Sequence, residues 1–320
     1  MSDLIDIRSL IVVLETGGFS RAAAQLGVSK SIISRRIARL EEDLGTRLLS
    51  RTTRGISATD AGLEFKARGE RILADLQEAR DAVQQRGDGL SGRLRLSAPL
   101  SFGVRYMAPL LAELAQRHPR LEIDAAYSDR ITDIVGDGFD VALRIGRLKD
   151  SSLVARRIAP VYTAVVASPA YLEAHGTPQQ PDDINRHECL IYSGATVAEW
   201  RFKAGRKWVS VHPQGRLRAD SGEAILRWAT DGLGLAALPT FLCSDAIHSG
   251  SLVPVLTDYP LPEAALHAVR PPGVHVPRKV RMLIDAAVDR FAEDHTWDPC
   301  RLAVCRANAA TGNAEKEAAE

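Results

Sequence analysis

The sequence predicts an α/β protein with an N-terminal all-α winged helix-turn-helix, a long linker helix and a two-lobed module of open, mainly parallel sheets. Residues Phe19 to Thr59 read as two short helices and a basic hairpin in direct succession. Apolar residues then repeat at heptad spacing from Phe65 to Val83. Beyond residue 89, strand-like runs alternate with helical ones, the order that builds parallel open sheets.

Ile7, Leu10, Ile11 and Leu14 predict a first amphipathic helix that stops at Gly17-Gly18 and packs behind the helix-turn-helix. Ser20-Arg21-Ala22-Ala23-Ala24-Gln25-Leu26 is a short helix whose alanines permit close approach by a second. Gly27-Val28 makes the tight turn, since glycine reaches backbone angles closed to other residues. Ser29 stands where an N-cap belongs. From there Ile33, Ile37, Leu40 and Leu44 recur at the spacing of one buried helical face. At 100° per residue the opposite side carries Ser31, Arg35 and Arg39, with Lys30 at the exposed start and Ser34 on the flank. Small hydroxyls and arginines opposite an aliphatic stripe suit the major groove of duplex DNA.

Arg47-Leu48-Leu49-Ser50 and Ile56-Ser57-Ala58-Thr59 are expected as two strands around a cationic tip, Arg51-Thr52-Thr53-Arg54-Gly55. Residues 29 to 54 hold seven Lys/Arg against three acids, in a chain whose net charge is only +1. A localised patch of this kind, and not net charge, is what the phosphate backbone requires. The candidate DNA contacts are therefore Ser29, Lys30, Ser31, Ser34, Arg35, Arg36 and Arg39 on the helix, with Arg51, Thr52 and Arg54 on the hairpin. An amphipathic helix with a solvated arginine face is the plainer alternative, but it does not account for the adjoining hairpin.

The order of these elements resembles the LysR-type transcriptional regulators. The matching residues are Phe19-Ser20-Arg21-Ala22-Ala23, Leu26-Gly27-Val28-Ser29, Ser34-Arg35-Arg36-Ile37-Ala38-Arg39-Leu40-Glu41, Leu44-Gly45, Arg51-Thr52-Thr53-Arg54-Gly55 and Thr59-Asp60-Ala61-Gly62. One departure concerns base preference: the family often has Gln-Pro where this chain has Lys30-Ser31. The resemblance implies a regulator, activator and/or repressor, that binds double-stranded promoter DNA. It also implies a small-molecule effector held in a periplasmic-binding-protein-like module, a homodimer assembling further into a homotetramer, and RNA polymerase as a further candidate partner.

A long helix is expected from Thr59 or Asp60 to about Gln85. Within it Phe65, Ile72, Leu76, Ala79 and Val83, with Gly69, form an a/d seam suited to dimerisation. A helix packed on its own domain is the alternative. Gly87-Asp88-Gly89 and Ser91-Gly92 mark a hinge. The domains expected are residues 1–59, the linker 60–88 and the module 89–295. Lobe I takes about 90–162 and 267–295, lobe II about 163–266, and a disordered tail runs over 296–320.

In the module Leu94, Leu96 and Ala98 alternate as a strand, followed by a helix over Ser101 to Arg117. Leu121 to Tyr127, Asp140 to Ile145, Cys189 to Tyr192, Lys207 to Val211, Arg216 to Ala219, Leu235 to Leu238 and Leu266 to Val269 read as further strands. Arg157 to Ser168 reads as one long strand that crosses between lobes. Helices are expected at Ile131 to Val135, Tyr171 to Ala174, Glu223 to Thr230 and Thr240 to Ile247. Val280, Leu283, Ile284, Ala287, Val288 and Phe291 form the inner face of a closing helix.

Two helix starts beside strand ends, Leu100-Ser101-Phe102 and Asp220-Ser221, are the candidate effector contacts, since free amides and hydroxyls there attract anions. Gly146, Ser193 and Gly194 follow strands and are candidates for the same cleft. Each serine also reads simply as a helix cap. Asp220 opposes an anion, so an amine-bearing or neutral effector stays open. No Gly-x-Ser-x-Gly, Walker loop, dinucleotide fingerprint or His-Glu-x-x-His occurs, so no enzyme and no cofactor are expected.

Composition fits this picture. At 320 residues two or three domains are the prior, and 45% hydrophobic with 25% charged content is ordinary for a globular chain. No run approaches the ~20 apolar residues of a membrane span. Met1-Ser2-Asp3-Leu4-Ile5-Asp6 lacks the basic start of a secretory signal, so a cytoplasmic location is expected. Cys189, Cys243, Cys300 and Cys305 are scattered, which fits reduced thiols, and His187-x-Cys189 is too sparse for a metal site.

Overall fold

The computed structural model describes residues 2–52, 55–84, 90–130, 133–148, 151–194, 199–272, 276–293 and 297–300. Three helices open the chain: α1 (Ser2–Thr16), α2 (Phe19–Leu26) and α3 (Lys30–Leu44). Gly17, Gly27 and Gly45 end them in the left-handed region, which L side chains rarely adopt. Leu10, Val13, Ala22, Ile33, Ile37 and Leu40 are buried together as one small core, with Leu14 packed against it. Leu44 departs from the expected stripe. It is 43% exposed because α3 projects past the core at its last turn.

A two-stranded hairpin follows, β1 (Leu49–Thr52) and β2 (Gly55–Ala58). Leu49 pairs with Ala58 and Thr52 with Gly55, so the ladder runs further toward the tip than the sequence suggests. Gly55 is therefore a strand residue, and residues 53 and 54, Arg54 included, lie outside the described residues.

Helix α4 (Asp60–Gln84) starts against this hairpin. Thr59 Oγ1 accepts the Gly62 amide at 3.0 Å and donates to the Arg47 carbonyl at 2.8 Å. A Cβ on Gly62 would meet the Leu48 carbonyl oxygen at 2.0 Å, so only glycine permits this crossing. The expected dimer seam needs correction at its start. Phe65 packs against the N-terminal core and Gly69 lies on Ile7 of α1, so these turns are used within the chain. Ile72 is 48% exposed and Leu76 is partly buried. The side chains of Ala79 and Val83 lie outside the described residues, as do Gly87-Asp88-Gly89.

The module has two five-stranded sheets. Lobe I is built from β3 (Ser91–Ala98), β4 (Arg120–Tyr127), β5 (Val141–Gly146), β6 (Val154–Val161) and β14 (Ala264–Arg270), in the order β4-β3-β5-β14-β6. Lobe II is built from β7 (Thr163–Ala167), β8 (Cys189–Tyr192), β11 (Leu217–Ala219), β12 (Leu235–Pro239) and β13 (Val253–Val255), in the order β11-β8-β12-β7-β13. A separate hairpin pairs β9 (Trp200–Ala204) with β10 (Lys207–Val211).

Both sheets are mixed: in each, four strands run one way and a single strand runs against them. β3 runs parallel to β4 and β5, while β14 is antiparallel to β5 and β6. In lobe II β8 is parallel to β11 and β12, while β7 is antiparallel to β12 and β13. The antiparallel members are the returning strands, which enter each sheet from the opposite lobe. Arg157 to Ser168 is accordingly not one strand. Its two halves pair with different sheets on either side of Tyr162. β9 and β13 are strands the sequence pattern did not mark.

Lobe I helices are α5 (Leu100–Phe102), a wide turn over Gly103–Met107, α6 (Ala108–Arg117) and α10 (Arg278–Val288). Lobe II carries α7 (Pro169–His175), α8 (Gly222–Thr230) and α9 (Thr240–His248). Residues 134–138 make turns in place of the expected helix, and 131–132 lie outside the described residues. Ser91 and Gly92 belong to β3, although Gly92 keeps the positive φ of a hinge residue.

The C-terminal boundary also shifts. Trp297, Asp298 and Cys300 are buried, and Thr240 Oγ1 donates to Asp298 Oδ2 at 2.6 Å. Trp297 joins Phe102, Tyr106, Phe241 and Phe291 in one aromatic cluster, so the module continues past residue 295. Residues 301–320 lie outside the described residues.

Candidate functional site

The reading face of α3 begins at its cap. Ser29 Oγ accepts the Ile32 amide at 3.4 Å and lies 2.9 Å from Ser31 Oγ. Ser29, Lys30, Ser31 and Arg35 are exposed, and Ser34 is partly buried. Arg36 and Arg39, offered by the sequence to DNA, turn toward α1. Arg36 Nη1 donates to Ser9 Oγ at 3.2 Å. Arg39 donates to Asp6 Oδ2 through Nε at 2.8 Å and Nη2 at 2.5 Å. The hydrogen bond and charge of Asp6 raise the Arg39 pKa. Asp6 itself is 2% exposed, so this pair fixes the angle between α1 and α3.

Glu41 ties the other end. Its Oε1 accepts the amides of Leu48 at 2.8 Å and Leu49 at 3.0 Å, which sets the hairpin against α3. Between them opens a cleft of about 530 Å³ lined by Ser34, Ala38, Arg47, Ser50 and Thr59 among others. Arg51 and Thr52 sit in β1 at the hairpin tip. Sequence reasoning counted Glu41 as charge and as part of the family resemblance, gave it no contact, and assigned no role to Asp6 or Ser9. The available signal was an acid and a serine three apart inside an apolar helix.

The second candidate region lies where the strand ends of both lobes meet. Leu100 donates its amide to Asp129 Oδ1 at 2.8 Å. Ser101 is 8% exposed with its Oγ unpaired, 3.6 Å from where a Cβ would project from Gly222 in the other lobe. Phe102 is fully buried in the aromatic cluster, so it is a core residue and not a ligand contact. Gly146 ends β5 at φ 141°. Ser193 is exposed and donates its amide to the Ala219 carbonyl at 2.8 Å. Gly194 is exposed, and a Cβ there would meet the Tyr192 ring. Asp220 is exposed, and Ser221 caps α8 by accepting the Ala224 amide at 3.4 Å.

Further residues at this junction were not foreseen. Tyr192, at the end of β8, lies near Asp129 of lobe I, and burial and nearby acids push its pKa up to about 12. Arg144 of β5 is partly buried, and Nη1 donates to Ser97 Oγ at 3.4 Å. Loss of solvent lowers the Arg144 pKa, with Asp129 acting against it. Arg105 and Tyr106 also join the lobes. Arg105 Nε pairs with Glu223 Oε1 at 3.1 Å, and the Tyr106 hydroxyl donates to the Phe241 carbonyl at 3.1 Å.

A capped polar helix braced by a hairpin, joined through one helix to a two-lobed α/β module, defines a DNA-binding protein coupled to a ligand-binding part. The comparisons name the family. The bacterial regulatory helix-turn-helix protein, lysR family, matches residues 4–63, and the LysR substrate binding domain matches residues 87–292. An uncharacterized HTH-type transcriptional regulator of Haemophilus influenzae is 38% identical over 281 residues, covering 88% of this chain and 98% of the relative. The full-length structure of AphB, the Vibrio cholerae virulence activator, covers 90% of this chain and 99% of its own at 29% identity and TM-score 0.57. CrgA of Neisseria meningitidis covers 89% and 97% at 31% identity and TM-score 0.57.

The chain belongs to the LysR family: it is a transcriptional regulator with a helix-turn-helix DNA-binding domain and an effector-binding domain. Among the described residues no helix is long and apolar enough to cross a membrane.

Proposed function

We propose that this regulator reads promoter DNA with Lys30, Ser31 and Ser34 on base edges and Arg35 on phosphate, the tip residues Arg51, Thr52 and Arg54 adding phosphate contacts. The observation that carries this reading is the division of α3's cations. Lys30 and Arg35 are exposed and make no ion pair among the described residues, whereas Arg36 and Arg39 are engaged by α1. Arg35 stands on the side opposite Ile33 and Ile37 and Lys30 at the exposed start of α3, where the helix can enter a groove. Phosphate contacts hold register, and base contacts choose sequence.

The protein acts in the cytoplasm as a homodimer through the part of α4 from Ile72 onward, and pairs of dimers assemble through the effector modules. A small effector sits between the lobes near Ser101, Gly146, Ser193 and Ser221, and changes the spacing of the two reading heads. It shifts that arrangement only by its difference in affinity between the two states. Transcription then rises or falls through access or contact of RNA polymerase at the promoter, with no chemical turnover.

The test is a footprint on DNA upstream of the chain's own gene and its neighbour, with metabolites titrated in. Lys30→Ala or Ser31→Ala should change which site is preferred, and one metabolite should alter footprint length. Variants that protect the same sequence as the parent would remove the docking assignment.

A further inference from the structure

We propose that the ligand held between the lobes carries a carboxylate, and that the Arg144 guanidinium is the group that pairs with it. This rests on the inter-lobe effector reading and adds the ligand's chemical class. Arg144 interrupts an otherwise apolar strand near the carboxyl end of β5, beside Ser97 near the end of β3 and Asp129 just after β4. Its Nη2 is buried with no hydrogen-bond partner among the described residues. A guanidinium taken out of water and left partly unpaired is costly, and the cost falls when an anion completes its hydrogen bonds.

The neighbours do not supply that anion in full. Asp129 is the acid whose field reaches Arg144, yet its Oδ1 accepts the Leu100 amide and its charge also acts on Tyr192. His267, the register partner of Arg144 on β14, is held toward its neutral form by burial and by Arg157, so it brings no countercharge. Asp220, which on sequence alone opposed an anion, is exposed, and its charge acts on Tyr192. A planar carboxylate matches a guanidinium edge with two parallel hydrogen bonds, which a neutral amide or an amine does not. Asp129 acts on both Arg144 of one lobe and Tyr192 of the other, so an anion beside Arg144 changes the charge balance at the joint between lobes.

Formate is the smallest probe of such a pair, and formamide is its neutral counterpart. Thermal melting of the full-length protein is followed against each, with ionic strength held constant by sodium chloride. Formate should raise the melting temperature in a saturable way and formamide should not. Arg144→Lys, which keeps the charge, should weaken the apparent formate affinity about tenfold through loss of the paired geometry, and Arg144→Gln should abolish the response. If Arg144→Gln does not fold, the comparison of wild type with Arg144→Lys decides. Equal responses to formate and formamide, an unchanged formate affinity in Arg144→Lys, or no response to formate in the wild type each overturn the assignment. Should that happen while a metabolite still changes the wild-type DNA footprint, the inter-lobe reading stands and only the carboxylate falls. If no metabolite changes the footprint either, both fall.

Discussion

The division of labour among the α3 arginines makes a quantitative prediction about salt. Arg35 is exposed and makes no ion pair among the described residues, whereas Arg39 gives two hydrogen bonds to Asp6, which is 2% exposed. A cation that neutralises a phosphate releases a condensed counterion, and each such contact adds about 0.9 to the slope of log affinity against log salt. Over a fourfold change in salt, from about 50 to about 200 mM, one contact is therefore worth about 3.5-fold in affinity, and the two of a dimer about 12-fold. Arg35→Ala should lose about that much salt sensitivity on specific and non-specific duplexes alike. Arg39→Ala should leave the slope unchanged, because its charge is already met by Asp6, and should instead lower the melting temperature. Fluorescence anisotropy of a labelled duplex over that salt range measures both. An Arg39→Ala slope reduced as far as that of Arg35→Ala would show that Arg39 leaves Asp6 for phosphate, and the division of roles would be wrong.

Other outcomes rest on single contacts. Gly62→Ala should destabilise the N-terminal domain by about 1–3 kcal/mol, since its Cβ would meet the Leu48 carbonyl oxygen at 2.0 Å; an unchanged thermal melt would mean that α4 does not cross the hairpin this closely. Ile72→Asp should convert dimers to monomers in sedimentation while the fold persists, because Ile72 is exposed on the free part of the seam. Phe65→Asp should instead unfold the N-terminal domain, and the reverse pattern would return the seam's start to the dimer contact. Burial pushes the thiols of Cys189 and Cys243 up to about 12, so both stay protonated near pH 8. Iodoacetamide should leave them unlabelled in the native protein and label them after denaturation, as read by mass spectrometry; rapid native labelling would show that these sites open.

What could be read from the sequence was whatever depends on local period or a single cap. The stripe of Ile33, Ile37 and Leu40 buries one face, and Ser29 caps the helix, because both depend only on spacing along one element. The partners of Arg36 and Arg39 were not legible, since Ser9 and Asp6 lie 27 and 33 residues away and on another helix. A heptad pattern shows that a helix face is apolar, but not whose side chains cover it. Phe65 and Gly69 fit the seam and are covered by the chain's own first domain. At the lobe junction, helix starts pointed to Ser101 and Ser221, and the serine at each does sit buried or capping. Arg144 and Tyr192 were missed because each lies in a strand that reads as ordinary core, and their significance comes from Asp129 at the junction.

These contacts also limit how an effector's message can travel. Helix α4 is bound to the reading domain at three successive levels: the Thr59 cap on the hairpin, Gly62 against Leu48, and Gly69 against Ile7. The α1 helix that receives Gly69 also holds Arg36 and Arg39, and Glu41 holds the hairpin to α3. Reading helix, hairpin and the first turns of α4 therefore move as one body, as close packing requires. A ligand between the lobes has little means of bending α3 relative to α4 without breaking that packing. If the chain dimerises through α4 as proposed, the ligand acts more economically by turning one copy's α4 against its partner's around Ile72, which is exposed. The quantity that should change on effector binding is the distance between the two reading heads on DNA, with the contacts inside each head preserved.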